Sequence, residues 1–407
     1  MRPLRVAIVA DFLEEGWPSM DLVADMLMDC LRSDHAGQIE ATLIRPPMRR
    51  RAAVVPGVSG TSAAQAIDRV VNRLWDYPRR VAALASQHDV FHIVDHSYAQ
   101  LVHRLPAART LVTCHDLDTF RSVLDAEREP RSAPFQLMTR HILRGLRKAG
   151  YIACDTAATR EALVDRAGIP PERTTVVYNG PHPSCTPAPE PAADVEAARA
   201  LGPRGRTIDL LHVGSTIGRK RIDVLLEVFA RVRRLRPEVR LVRVGGPMTA
   251  EQRGLARDLG VSDAILTMPF LDRATLAAVY RRSALLMLTS DREGFGLPVL
   301  EALACGTPVL ASDIDALREV GGTAAVYCPP GDVEAWTSAV GAMLDRRNNR
   351  PDEWRQLREA GISRARAFSW SRYTAQNVAL YRQLAKSGSP EGLRYVRNEP
   401  DVRSAEL

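Results

Sequence analysis

Short, nearly continuous apolar runs alternate with amphipathic stretches along most of the chain, and this alternation restricts the fold more than any other feature. The runs at 5–10, 41–44, 90–94, 110–113, 151–154 and 175–178 are rich in Val, Ile, Leu and Thr. They are apolar on both faces, as strands of a parallel sheet covered by helices on either side must be. Between them, stretches such as Met20 to Leu31 carry apolar residues at helical spacing. Strand and helix in repeated succession specify a doubly wound α/β domain. The pattern then restarts with 209–213, a helix over 222–235, and runs at 240–245, 264–268, 285–289, 309–311 and 325–328. Two parallel sheets are predicted.

A length of 407 residues suits two or three domains. Prolines 181, 183, 187, 189 and 191 fall together between the two series of runs and break regular structure there. The expected division is an N-terminal domain over 1–182, a Pro-rich linker over 183–206 and a second domain over 207–366. A C-terminal helix over 367–386 and a mobile polar tail over 387–407 complete the chain. The preceding helix is expected over 354–366, and the last one centres on 371–384. Ligands of open α/β sheets bind outside the carboxyl ends of the strands, so function is expected in a cleft between the two domains.

Composition removes several function classes. Apolar residues at 45% and charged residues at 25% exclude wholesale disorder. The net charge of +7 permits an anionic ligand without requiring one. Only Lys148, Lys220 and Lys386 are lysines, so a lysine in a loop stands out against the arginine-rich background. Five Trp, nine Tyr and eight Phe offer few stacking platforms, and no basic stripe interleaves them, so nucleic acid is not an expected partner. Arg49-Arg50-Arg51 and Arg79-Arg80 allow weak peripheral contact with a membrane surface, although a solvated surface is the plainer reading. Cysteines 30, 114, 154, 185, 305 and 328 contain no C-x2-C pair. Histidines 88, 92, 96, 103 and 115 crowd the first half, but His92 and His96 lie on a strand running into a loop, so no metal site is expected. No run approaches the ~18 apolar residues of a membrane span, and a cytoplasmic location is expected.

Two segments carry chemistry. After the run at 285–289 comes Asp291-Arg292-Glu293-Gly294-Phe295-Gly296-Leu297-Pro298, continuing to Gly306-Thr307-Pro308. Pro298 suits a first helical turn, and Gly306 with Pro308 stops the helix. The amides opening at Gly296-Leu297 can hold a phosphate, and Gly294 and Gly296 allow close approach of a ligand. Glu293 and Glu301 can accept hydrogen bonds from paired sugar hydroxyls, or can complement the helix dipole from solvent. The second segment, His212 to Asp223, places Arg219, Lys220 and Arg221 between a strand and a helix. Such cations suit the charge of a departing nucleoside diphosphate, or form a solvated basic helix start. Gly214, Gly218, Gly245 and Gly246 do not form G-x-G-x-x-G, which weighs against a nicotinamide or flavin cofactor.

Glu293 and Glu301 form E-x7-E inside E-G-F-G-L-P-x-L-E-A-x-A-x-G-x-P-V, and with Arg219-Lys220 this resembles the retaining glycosyltransferases of family 4. The match is strong over 207–335 and looser in the first domain, through Val112 to Asp116 and Val177 to Gly180. Phe368-Ser369-Trp370 also resembles the family. The resemblance implies the GT-B architecture: two Rossmann-like domains with an interdomain cleft and a last helix crossing back to the first domain. It implies that Arg219 and Lys220 hold the diphosphate, Glu301 the ribose and Glu293 the transferred sugar. Gly294, Phe295, Gly296 and Leu297 would supply main-chain contacts, Gly214 and Ser215 the first donor loop, and Phe270 and Leu271 the flank of the base. His115 would approach the sugar from the acceptor side, with Gly16, Tyr98, His96 and Asp116 nearby.

The implied reaction is metal-independent, retaining hexosyl transfer with no cofactor, from a nucleotide-diphosphate sugar to a hydroxyl or amine. UDP is the first choice of nucleotide and GDP the next; the acceptor could be a saccharide, lipid-linked or a small molecule. A sugar-nucleotide epimerase or hydrolase and a non-catalytic nucleotide-sugar-binding protein are the alternatives. The chain departs from the family pattern at Ser215, where Arg is common, at Asp155, where a small hydroxyl residue is common, and at Gly16, which replaces a glycine pair.

Overall fold

The computed structural model describes residues 2–54, 61–202, 205 and 207–386, so the tail read at 387–407 lies outside the described residues. The chain divides into two units, one of Met1–Cys154, Arg160–Val176 and Thr374–Leu407, the other of Asp155–Thr159 and Val177–Tyr373. Among the described residues, no helix is long and apolar enough to cross a membrane.

In the first unit the strands are β1 (Leu4–Val9), β2 (Ile39–Ile44), β3 (Val90–Ile93), β4 (Thr110–Cys114), β5 (Tyr151–Cys154) and β6 (Thr174–Val176). They form one parallel sheet in the order β2-β1-β3-β4-β5-β6. Every residue of β3, β4 and β5 is buried, which explains why these strands read as nearly continuous apolar runs. Helices such as Pro18–Asp34 and Ala133–Lys148 bury their apolar stripes, including Leu27, Leu31, Leu143 and Leu146. Each such side chain contributes roughly 1.5–3 kcal/mol on burial. The order reverses between β1 and β3, since the chain steps outward to β2 and then returns to the other side of β1. In open sheets the loops leaving the two strands at such a reversal diverge, and ligands bind at the carboxyl ends there.

The second unit repeats the plan with β7 (Ile208–Val213), β8 (Val239–Val244), β9 (Ile265–Met268), β10 (Leu285–Leu288), β11 (Val309–Ser312) and β12 (Val326–Cys328). This sheet is also parallel, in the order β12-β11-β10-β7-β8-β9, so its reversal lies between β7 and β10. The helix read over 222–235 is found at Ile222–Leu235, with Leu225, Leu226, Val228, Phe229 and Val232 in the core.

The Pro-rich linker over 183–206 is a partial misreading. Pro191–Leu201 is a helix whose Ala193, Ala197 and Leu201 join the core containing Leu276, Ala277 and Tyr280. Pro191 takes a first-turn position, where no N–H is needed, so it starts this helix instead of breaking it. The last helix runs Trp370–Lys386. From Thr374 it belongs to the first unit, where Tyr381 Oη lies 2.6 Å from His92 Nδ1.

Candidate functional site

The polar cluster of the second unit sits at its reversal point, built from the loops after β7 and β10. The first loop makes a short turn, Gly218–Lys220, and enters the helix through Arg221 at φ 46°, a left-handed conformation unusual for a non-glycine residue. Arg221 bonds Asp223 at 2.9 Å and Asp291 at 3.1 Å, so the third adjacent cation is matched by two aspartates. Thr289 Oγ1 donates 3.1 Å bonds toward the carbonyls of Lys220 and Arg221, and Asp291 N donates to Arg219 O at 2.8 Å. The two loops are thereby joined backbone to backbone.

On this frame Lys220 Nζ lies 2.5 Å from Glu293 Oε1, and Arg219 Nη1 lies 2.9 Å from Glu293 Oε2. Arg219 also bonds Arg292 O at 2.8 Å, and Ser290 Oγ donates to Glu293 Oε1 at 2.6 Å. The Glu293 side chain is 6% exposed and Lys220 is buried, so the readings in which both are solvated surface charges do not hold. Burial opposes ionisation of Glu293, but the charges of Lys220 and Arg219, with the bonds from Lys220 and Ser290, outweigh it and hold the carboxyl at about 2.

The loop then passes Gly294, whose carbonyl accepts bonds from Thr156 Oγ1 at 2.9 Å and Thr159 Oγ1 at 3.3 Å. Phe295 is buried with its ring 5.9 Å from that of Phe368, so its side chain serves the core and does not face a ligand. Gly296 has φ 97°, and a Cβ there would lie 2.5 Å from Leu317 Cδ2. Glycine is therefore required by the fold itself at the start of the helix Leu297–Ala304, where Pro298 occupies the first turn as expected. Leu297 is half-buried.

Glu301 keeps different company. It is 3% exposed, accepts a bond from Tyr280 Oη at 3.1 Å and faces Arg273 Nη1 at 3.9 Å. Burial raises its pKa against the pull of Arg273 and Tyr280, so the two carboxyls of E-x7-E are pushed in opposite directions.

Beside Gly214 and Ser215 the structure adds a group the sequence did not single out. His212 and Arg243 are in register on β7 and β8, and both are fully buried. Arg243 Nη2 donates to Gly214 O at 3.2 Å and Nη1 toward Gly246 O at 3.5 Å, holding the loops after the two strands. Burial, with the charges of Arg243 and Lys220, depresses the His212 pKa, so this imidazole is neutral. A Cβ on Gly245 would lie 2.3 Å from Gly214 O, which fixes glycine where the loops cross. Phe270 is 57% exposed and borders Gly246, while Leu271 packs on the core.

In the first unit, residues after β1, β3 and β4 form a second polar group. His115 Nε2 lies 2.7 Å from Val94 O, and its backbone N–H donates to His96 Nδ1 at 3.3 Å. His96 Nδ1 lies 3.6 Å from Asp95, and Nε2 lies 3.6 Å from Asp116. Asp95 caps the following turn, accepting from Ser97 N at 2.8 Å and Ser97 Oγ at 2.5 Å. Tyr98 is a core residue packed with Phe12 and Tyr77, with Arg73 stacked 4.2 Å over its ring. Gly16, at φ 69°, ends the short turn Leu13–Glu15. Asp11, 1% exposed, was missed by the sequence reading; burial and the nearby charges of Asp95, Asp21 and Glu15 raise its carboxyl to about 7, with only its own amide opposing. The available signal was a carboxylate directly following the first apolar run.

Two doubly wound units, each with a six-stranded parallel sheet, define the GT-B class of fold. A sucrose-phosphate synthase from Thermosynechococcus elongatus has the same fold, with a TM-score of 0.70 at 21% identity over 95% of this chain and 100% of that one. Residues 196–364 match the family model for glycosyl transferases group 1 and residues 35–184 that for Glycosyltransferase Family 4, and the chain belongs to glycosyltransferase family 4. A D-inositol 3-phosphate glycosyltransferase of Thermobispora bispora is 32% identical over 249 residues, 57% of this chain and 56% of that protein. The chain thus matches little more than half the length of this curated relative. The structure of Anabaena HepE in complex with UDP and glucose aligns at a TM-score of 0.67 and 16% identity, over 93% of this chain and 99% of that one.

Proposed function

We propose that this chain is a retaining glycosyltransferase that moves a hexosyl group from a nucleotide-diphosphate sugar to a hydroxyl or amine of an acceptor. The observation that carries this reading is the cluster of buried Lys220 and Glu293 with half-buried Arg219 at the reversal point of the second sheet, beside the opening of the helix Leu297–Ala304. An ammonium has three donors, and Lys220 gives one to Glu293, so it can reach a phosphate oxygen without abandoning the carboxylate. Preorganised cations and helix-end amides meet the charge that develops on a departing diphosphate. In this reading they do the work a metal does elsewhere.

Glu301 is assigned to the ribose hydroxyls and Glu293 to the transferred sugar. Glu293 is engaged by two cations and Ser290, which disfavours its service as a covalent nucleophile. Departure and attack on the same face, with the leaving phosphate taking the acceptor's proton, follow as the preferred route. UDP is the preferred nucleotide, supported by the fold shared with the UDP complex of Anabaena HepE. Thermal unfolding with UDP, GDP, UDP-glucose and GDP-mannose tests the donor: a ligand at 100 times its Kd stabilises by about 2.7 kcal/mol. No shift with any of the four would remove the proposal, and NMR showing an inverted anomer in the product would remove retention.

A further inference from the structure

The first unit buries a carboxyl that the proposed chemistry leaves unused. Asp11 lies two residues beyond β1 and Asp95 two beyond β3, and the pairing of Val9 with Ile93 sets them at matching height on either side of the β1/β3 reversal. This is where a sheet of this order opens its ligand crevice. Asp11 is 1% exposed, and neither of its oxygens is bonded to another described residue. A buried carboxyl without a partner burdens the fold, and such burdens are retained where a ligand supplies the missing bonds.

The surroundings set the sign of that ligand. Glu15, Asp21, Asp95 and Asp116 gather at the same end of the sheet. The guanidiniums there already face acids: Arg73 bonds Ser97 O at 2.6 Å and Glu15 at 3.5 Å, and Arg45 reaches Asp25 at 2.9 Å and Asp21 at 3.8 Å. A phosphate entering this crevice would meet like charge. An ammonium would find opposite charge, with the buried carboxyls of Asp11 and Asp95 following the two strands of the reversal.

Resting on the transferase reading, we propose that the β1/β3 crevice of the first unit takes an acceptor bearing an ammonium group, held by Asp11 and Asp95. The acceptor class is an amine-substituted sugar or cyclic polyol. This distinguishes the chain from a relative named for a phosphorylated acceptor.

The test compares glucosamine, glucose and glucose 6-phosphate by ligand-observed NMR on the full chain with UDP present, alongside UDP affinity measured separately. Glucosamine is expected to bind roughly tenfold or more tightly than either of the others, and Asp11→Asn to weaken it by a similar factor with UDP affinity unchanged. Asp11→Asn breaks no bond to another described residue and keeps an oxygen for its own amide, so the variant keeps the fold. Asp95→Asn should weaken glucosamine as well. Glucose 6-phosphate binding as tightly as glucosamine, or an Asp11→Asn protein with undiminished glucosamine affinity, overturns the amine assignment while UDP binding leaves the transferase reading standing. Loss of UDP binding in the unmodified chain overturns both.

Discussion

Replacing Glu293 by Gln probes the centre of the second-unit cluster. The side chain keeps its shape but loses its charge, and Lys220 and Arg219 lose the carboxylate that faces them at 2.5 and 2.9 Å. The carboxyl titrates at about 2 in the fold, against 4.5 for a free glutamate. At about 1.4 kcal/mol per pH unit, that interval makes ionised Glu293 worth about 3 kcal/mol of stability. Because the folded value is the lower one, this contribution is complete above pH 4.5 and disappears as pH falls from there toward 2. Urea unfolding of wild type and Glu293→Gln should therefore show a gap of about 3 kcal/mol at pH 7, nearly unchanged at pH 6 and visibly smaller by pH 3.5. Adding Lys220→Met should recover part of the loss, since the double variant leaves no lone ammonium buried beside an amide. A gap under 1 kcal/mol at pH 7, or one equally large at pH 3.5, would show that the carboxylate is not held as described.

Three other outcomes are expected. Lys220→Ala and Glu301→Gln should each lower kcat/KM for the donor by roughly ten- to hundredfold, the loss of one charge-assisted bond of about 1.5–3 kcal/mol, measured by nucleotide release. Gly296→Ala should destabilise the second unit by about 1–3 kcal/mol, because it adds a Cβ at φ 97° against Leu317; a urea midpoint equal to wild type would contradict this. Asp11 has its folded value raised from 3.8 to about 7, so the stability of wild type relative to Asp11→Asn should fall as pH rises from about 4 through 7. By pH 8 the Asn variant should be the more stable by about 2–4 kcal/mol, and parallel stability curves would refute the burial argument.

Much of the scaffold could be read in advance because it is written in local apolarity. The helix at Ile222–Leu235 and the strand at Tyr151–Cys154 fall where their patterns end, bounded by charge or glycine. Pro191 misled because a cluster of prolines looks alike whether it interrupts a helix or begins one. At the site, the residue types in the two loops were visible, but their burial was not. Lys220 and Glu293 stand far apart in sequence, and only the β7/β10 neighbourhood brings them to 2.5 Å. Arg243 escaped notice for a related reason. An arginine within Val239–Val244 reads as a solvent-facing position, as Arg240 does with its bond to Asp209, until the loops that cover it are known.

The bonds that join Thr289 and Asp291 to the main chain of Arg219, Lys220 and Arg221 have a dynamic consequence. Strapped together in this way, the cations and Glu293 shift as one piece or hardly at all, so their ordering entropy is lost when the chain folds and not again at every encounter with a substrate. Changes in nucleotide preference should accordingly come from the margin, at positions such as the outward-facing Phe270, while the strapped centre tolerates little variation.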